Sequence, residues 1–105
     1  MTAPATFRFT YATSPERHLR AAELMGFSTS GLSDRDAREA LPNALLALMR
    51  DVGIPNGITA LGYGESDIPA LVEGTLKQPR LLSGAPRAVG SADLAAILRD
   101  SLRLW

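Results

Sequence analysis

Apolar residues recur every three or four positions along most of the chain, which is the spacing of helices that each bury one face. The longest predicted helix begins at Asp34, after the capping residue Ser33, and ends at Gly53. Asp36 lies near the positive end of its dipole. Pro42 must either kink this helix or belong to its first turn, and we expect a kink. Its apolar stripe comprises Leu41, Leu45, Leu48, Met49 and Val52.

A shorter helix is predicted before it. Ser14 is expected to cap this helix, Pro15 to occupy its first position, where no N–H is needed, and Gly26 to end it. Its three-residue apolar spacing runs through Leu19, Ala22 and Met25. Phe27–Ser33 is rich in Ser, Thr and Gly and is expected to be a loop. Ala3–Tyr11 fits either a strand or a short buried helix, because so few residues leave the period undecided.

The second half of the chain alternates turn-rich stretches with helices. Ile54–Gly64 has room for one helical turn at most, around Ile58–Leu61. Ser66 is expected to cap a helix that runs through Leu76, and Ser91 to open a last helix. Between them Gln78–Gly90 is predicted to be a long connection. The buried stripes of the two helices are Ile68, Leu71, Val72 and Leu76 in the first, and Leu94, Ile97, Leu98 and Leu102 in the second.

These patterns predict an all-α fold: one small domain, residues 1–105, of four or five helices joined by Pro- and Gly-rich loops. A chain of 105 residues has room for one modest core. Its hydrophobic fraction of 46% and charged fraction of 21% are those of an ordinary globular protein.

The charge balance and the lack of cysteine restrict the possible partners. Basic and acidic residues number 11 each, so we expect no nucleic acid, whose binders carry a basic excess on one face. No apolar run approaches the roughly 20 residues of a membrane helix, so no membrane partner is expected. The absence of cysteine excludes disulfides and thiolate chemistry, and with no secretion signal visible we expect a cytoplasmic protein.

Residues able to carry chemistry are few. His18 is the only histidine, so neither a metal site nor a serine nucleophile has the partners it needs. The Gly-rich stretch Gly62–Ser66 lacks the wider pattern of a phosphate-binding loop. Two acidic pairs lie in predicted first turns, where the helix dipole accounts for them: Asp34/Asp36 and Glu65/Asp67. We therefore expect no catalytic, cofactor-binding or metal-binding residue in this chain.

Several strings resemble the C-terminal end of the iron-containing alcohol dehydrogenases, over essentially the whole chain. The most specific is Asp67–Leu76 (DIPALVEGTL) followed by Gln78 and Arg80, which is characteristic of the hydroxyacid-oxoacid transhydrogenase branch. The others are Phe7–Thr10 (FRFT), Pro15–Gly26 (PERHLRAAELMG) and Leu61–Tyr63 (LGY). The first of these three points to the same branch.

The resemblance implies a fold and an activity for a complete enzyme. An N-terminal nucleotide-binding α/β domain would precede an all-α domain, of the dehydroquinate synthase-like type, that holds a divalent metal (iron or zinc) between one Asp and three His. The branch exchanges a hydride between a hydroxyacid such as 4-hydroxybutyrate and an oxoacid such as 2-oxoglutarate. A tightly held NAD is the relay, and the metal polarises the substrate oxygen.

The resemblance also implies that the present chain begins just after the last metal-binding His. The metal ligands and the nucleotide domain would then lie upstream. His18 corresponds to none of those ligands, so no catalytic or metal residue is carried over from the family. Thr2–Phe9 would continue the helix that leaves the metal site.

Three hypotheses follow. The first is a C-terminal fragment or subunit of an oxidoreductase, inactive alone; the second is a free-standing helical interaction or oligomerisation module; the third is a small enzyme that uses His18. Apolar residues that would need cover favour the first: Phe7, Phe9, Tyr11 and Trp105. The missing nucleotide-binding portion or a second copy of the chain would cover them.

Overall fold

A computed structural model describes all residues from Met1 to Trp105. The α-helices are α1 (Ala3–Thr10), α2 (Pro15–Leu24), α3 (Asp34–Asp51), α4 (Ile68–Leu76), α5 (Pro79–Leu82) and α6 (Ser91–Asp100). Single 3-10 turns cover Tyr11–Thr13, Ile58–Leu61 and Glu65–Asp67. There are no strands, so the all-α fold class is confirmed, and the undecided N-terminal segment is helix α1. No helix combines the length and the apolar character needed to cross a membrane.

The helix ends marked by glycine lie where the sequence predicts them. Gly26 and Gly53 adopt positive φ angles of 92° and 77°, each one residue beyond the C-cap position that directly follows α2 or α3. After α3, the Gly53 N–H donates to the Arg50 carbonyl and the Ile54 N–H to the Met49 carbonyl, which is the Schellman arrangement. The Ser33 cap of α3 is also confirmed, because its hydroxyl accepts the Asp36 N–H at 3.2 Å.

Two serine residues predicted to cap helices do not do so. The Ser14 side chain makes no capping hydrogen bond to α2, although the helix begins at Pro15 as expected. Ser66 is not the cap of α4 either. The chain turns into a 3-10 helix already at Glu65, and the Asp67 carboxylate accepts the N–H of Gly64 at 2.8 Å. A carboxylate three residues into the turn thus replaces the expected serine hydroxyl.

Other differences concern the long connection and the apolar stripes. Gln78–Gly90 is not wholly irregular, because it contains the four-residue helix α5 opened by Pro79, and this brings the count to six α-helices. Helix α3 continues unbroken through Pro42, which excludes the first-turn alternative; the kink remains a prediction. Three predicted stripe residues are exposed at the ends of their helices: Leu48, Val52 and Leu76.

The hydrophobic core consists of two clusters. One joins α2 to α3, and the other joins α4 to α6. Their buried members are Ala22, Ala40 and Leu41 in the first, and Ile68, Val72 and Leu94 in the second. Helix α1 packs against both α3 and α6, with Pro4 and Ala5 buried, and therefore connects the two clusters.

The C-terminal residues are fixed by the loop that follows α3. The Asn56 side-chain oxygen accepts the N–H groups of Leu104 at 2.7 Å and Trp105 at 2.9 Å, and its amide donates to the Trp105 carbonyl. Gly57 approaches the Leu102 backbone so closely that a β-carbon there would collide with the Leu102 carbonyl. The tail is therefore a specific part of the fold.

Candidate functional site

His18 lies at the junction of α1 and α2 and is half-buried. Its Nδ1 is 2.8 Å from the Ser14 carbonyl, and its Nε2 is 2.9 Å from the Thr10 hydroxyl. Because a carbonyl only accepts, Nδ1 carries a proton, and in the neutral ring Nε2 accepts from Thr10. The rings of Phe7 and Tyr11 lie edge-on to the imidazole, each with its centroid 5.8 Å away. These contacts join two helices and bring no carboxylate to the imidazole.

The acidic pairs have structural partners or lie in the first turn of a helix. Asp34 and Asp36 are exposed in the first turn of α3. Asp67 holds the turn before α4, as described, and Glu65 accepts from Arg99 of α6 at 2.5 Å. No group of three or more His, Cys, Asp or Glu side chains is placed to hold a metal ion.

A pair of charged residues fixes α1 on α3. The Arg8 guanidinium donates two hydrogen bonds of 2.7 Å to the Glu39 carboxylate, and both side chains are less than one-third exposed. The hydrogen bond to Glu39 raises the pKa of Arg8, partial burial opposes this, and the charges of Glu39 and Asp100 add to the increase. Sequence pattern gives no signal for this pair, because its members are 31 positions apart.

Arginine side chains also satisfy carbonyls at the end of α1. Arg38 donates to the Arg8 carbonyl at 3.2 Å, and Arg87 donates to the Phe9 carbonyl at 3.0 Å. The Arg87 guanidinium lies 4.0 Å from the centroid of the Phe9 ring, close enough for a cation–π contact. Arg38 and Arg87 line a groove together with Arg35 and Asp34. Arg38 and Arg87 already neutralise the negative C-terminal end of α1.

An apolar cavity of about 320 Å³ lies between α1, α4, α5 and α6. No charged residue lines it, and the hydroxyls of Thr6, Thr10 and Thr75 on its walls have partners elsewhere. Thr6 donates to the Thr2 carbonyl at 2.9 Å and Thr75 to the Leu71 carbonyl at 2.8 Å. The lining is otherwise aliphatic and aromatic, so nothing in it would hold a carboxylate.

The four aromatic residues expected to need cover lie in different places. Phe7 and Tyr11 contact His18, on the α2 side of α1. Phe9 lies under Arg87 and reaches the apolar cavity. Trp105 is held in the C-terminal tail, where its ring lies 5.6 Å from the Arg50 guanidinium. The sequence did not reveal the cavity, because its walls come from four helices.

The molecule has more surface than its mass requires. Its accessible area is 6603 Å², and only 15 of 105 residues are buried. A compact monomer of this mass has an area of roughly 5,700 Å² and a radius of gyration of about 13 Å; the observed radius is 14.3 Å. Several large apolar side chains are exposed, the most extreme being Leu24, Leu81 and Val52.

Known proteins match this chain along its full length. The model of the Fe-containing alcohol dehydrogenase family, C-terminal, matches residues 1–102. A probable mitochondrial hydroxyacid-oxoacid transhydrogenase of Dictyostelium discoideum is 43% identical over 100% of this chain and 19% of its own length. The mitochondrial hydroxyacid-oxoacid transhydrogenase of Rattus norvegicus is 42% identical over 100% of this chain and 22% of its own.

A solved structure of 1,3-propanediol oxidoreductase superposes with a TM-score of 0.79 at 35% identity, covering 95% of this chain and 26% of that chain. The chain thus spans about a fifth of the length of the curated relatives it matches. It belongs to the iron-containing alcohol dehydrogenase family and corresponds to its C-terminal helical part. The expected family and fold are confirmed, and so is the match to the transhydrogenase branch.

Proposed function

We propose that residues 1–105 serve as the C-terminal helical part of an oxidoreductase that exchanges a hydride between a hydroxyacid and an oxoacid. The observation that carries the proposal is the identity of 42–43% to hydroxyacid-oxoacid transhydrogenases along the entire chain. The identity to 1,3-propanediol oxidoreductase is lower, at 35%. This difference favours acid substrates over diols.

The metal and the nicotinamide would be held outside residues 1–105. The side chains of this chain do not fit a metal, because none of its His, Asp and Glu residues gather in a group of three. The family name supports iron in the complete enzyme. Zinc as the alternative metal and NAD as the hydride carrier belong to the proposal. The role proposed for this chain is to complete the helical domain, with α1 fixed by Arg8 and Glu39.

The test follows a deuterium atom. The protein that contains this chain is incubated with 4-hydroxybutyrate deuterated at carbon 4 and with 2-oxoglutarate, without added NAD. Transfer of the deuteride to carbon 2 of the oxoacid gives labelled 2-hydroxyglutarate and succinic semialdehyde, which mass spectrometry detects. No labelled product, together with NAD reduction by 1,3-propanediol, would replace the transhydrogenase by an alcohol dehydrogenase.

The proposed partner of this chain is the nucleotide- and metal-binding portion of the same enzyme. The relatives are several times longer than the chain, and the surface area of the chain exceeds that of a compact monomer. Both observations support burial of this surface by another part of the protein. Native mass spectrometry distinguishes this partner from a second copy of the chain.

The proposed location is a reducing compartment. The chain contains no cysteine, which fits the expected cytoplasm, whereas the printed names of the relatives are mitochondrial. Cell fractionation with an antibody against this chain decides between the two.

A further inference from the structure

The apolar cavity and the outer face of α4 form one continuous groove. The two depressions share Thr75, Leu81 and Leu82, and the second adds Ala70 and Gly74 of α4. Ala70 and Gly74 lie one turn apart on the same face of the helix. At Gly74 a β-carbon would have no atom within 4 Å, so another helix can approach the α4 backbone closely there.

The chemistry of this groove selects an apolar occupant. No charged side chain lines either depression, and the hydroxyls of Thr6, Thr10 and Thr75 on the walls are already bonded to protein. A hydroxyacid or a phosphate would lose its hydration there without a compensating cation. A large aliphatic or aromatic side chain would instead occupy part of the 320 Å³ cavity.

Leu81 indicates that the groove is a protein interface. This leucine is 68% exposed at the boundary between the two depressions, in a helix of only four residues. Thr2, which leads the chain into α1, lines the same cavity. Residues immediately before α1 would therefore emerge beside the groove.

We infer that this groove, formed by α4, α5 and the cavity beneath them, is the binding site of an apolar helix. The part of the enzyme outside residues 1–105 supplies this helix. The inference rests on the proposed function for its occupant, since the relatives are several times longer than this chain. It adds the location of the contact: the docking helix packs on Gly74 and inserts one large side chain beside Leu81.

Substitution of Gly74 tests the contact in the complete protein. For the helix by itself, Gly74→Leu is favourable, because leucine is a better helix former and meets open space. With a helix docked on α4, the leucine would collide with it, and the melting temperature should fall by about 2 °C or more. The matched control is Ala96→Leu on the exposed side of α6, which should leave the melting temperature nearly unchanged.

Thiol labelling gives a second measurement that does not depend on stability. The chain has no cysteine, so Leu81→Cys and the control Ser28→Cys, in the polar loop after α2, each place one thiol within it at an exposed residue. In the intact protein, maleimide should modify Cys at the Leu81 position at least about tenfold more slowly than at the Ser28 position. Peptide mass spectrometry locates the label.

Equal labelling rates together with an unchanged or raised melting temperature for Gly74→Leu would overturn the inference. Slow labelling of Leu81→Cys could also disappear when oligomers are diluted to monomers. That result would identify a second copy of the chain as the occupant of the groove and would overturn the inference. Both readouts are independent of catalysis. The deuterium assay can therefore fail while the groove is occupied, or succeed while it is open.

Discussion

At the residue scale, Gly57 combines a backbone angle that excludes side chains with a contact that leaves no room for one. Its φ of 75° and ψ of 176° lie in a region used essentially by glycine alone. A β-carbon would also collide with the Leu102 carbonyl. We predict that Gly57→Ala lowers the free energy of unfolding by about 3 kcal/mol or more.

The matched control for this substitution is Gly53→Ala. Gly53 has nearly the same φ, 77°, but open space around its α-carbon, so only the backbone penalty of about 1–2 kcal/mol applies. Urea denaturation measures both variants. Equal losses would mean that the C-terminal tail moves aside without cost and that the contact with Leu102 is not specific.

A second residue-scale effect concerns the carboxyl group of Glu23. The hydroxyl of Thr29 donates to it at 2.6 Å, and this hydrogen bond, followed by that of Arg20, lowers the pKa of Glu23. A lowered pKa in the folded state means that the contact stabilises the fold at pH values above the ordinary carboxyl pKa. That stabilisation is lost as the pH falls through the lowered value.

We predict that Thr29→Val raises the pKa of Glu23 further than Arg20→Gln does. The reason is that the hydrogen bond from Thr29 is the largest single cause of the lowered pKa, and glutamine at position 20 can still donate to the carboxylate. NMR titration of the carboxyl carbon provides the measurement. If Arg20→Gln produced the larger rise, charge would outweigh hydrogen bonding at this site.

At the element scale, the 3-10 turn that leads into α4 gives a direct test of how the chain enters a helix. The Asp67 carboxylate accepts the Gly64 N–H, whereas the Ser66 side chain is exposed and caps nothing. We predict that Asp67→Ala destabilises the protein by about 1 kcal/mol and that Ser66→Ala changes it by less than about 0.5 kcal/mol. Thermal unfolding of the two variants is the measurement, and the reverse order would restore the serine cap expected from sequence.

The elements that the sequence predicted well are those set by local chemistry. Gly26 and Gly53 ended their helices as predicted because a left-handed residue is needed there and glycine adopts it at little cost. The serine caps were less predictable, because the turn before α4 closes through another group: the Asp67 carboxylate accepts the Gly64 N–H, two residues before Ser66. Helix α5 was missed because four residues are too short to show a period.

Contacts between elements could not be predicted from spacing. Arg8 and Glu39 belong to different helices and look like ordinary surface charges in the sequence, yet they fix α1 on α3. The groove was missed for the same reason, since its walls come from four helices. Val52 and Leu76, at the ends of two apolar stripes, are exposed. An apolar stripe therefore predicts which face of a helix is apolar, but not which element packs against that face.

We predict a measurable coupling between Arg8 and Glu39. In a double-mutant cycle of Arg8→Met and Glu39→Gln, the coupling free energy should be about 1–2 kcal/mol, because two charge-assisted hydrogen bonds lie in a partly buried position. The same cycle on Glu73 and Lys77, an exposed pair on α4, should give less than about 0.5 kcal/mol. Similar values for both pairs would show that the Arg8 pair does not hold α1 in place.

At the scale of the whole molecule, two small clusters share one connecting helix, and each has only three buried residues. The α2–α3 cluster joins two helices that follow one another in the chain. The α4–α6 cluster depends on α5 and on residues after it, and the apolar groove opens beside it. Cover by further protein should therefore stabilise the second cluster more than the first.

Hydrogen exchange can measure this asymmetry. We predict that amides of α4 and α6 exchange at least about tenfold more slowly in the complete protein than in residues 1–105 produced alone, whereas those of α2 change less. The physical reason is that a helix in the groove must leave before α4 and α6 can open, while the contact between α2 and α3 lies elsewhere. A uniform change along the chain would mean that further protein stabilises the fold as one unit, so that the two clusters do not open separately.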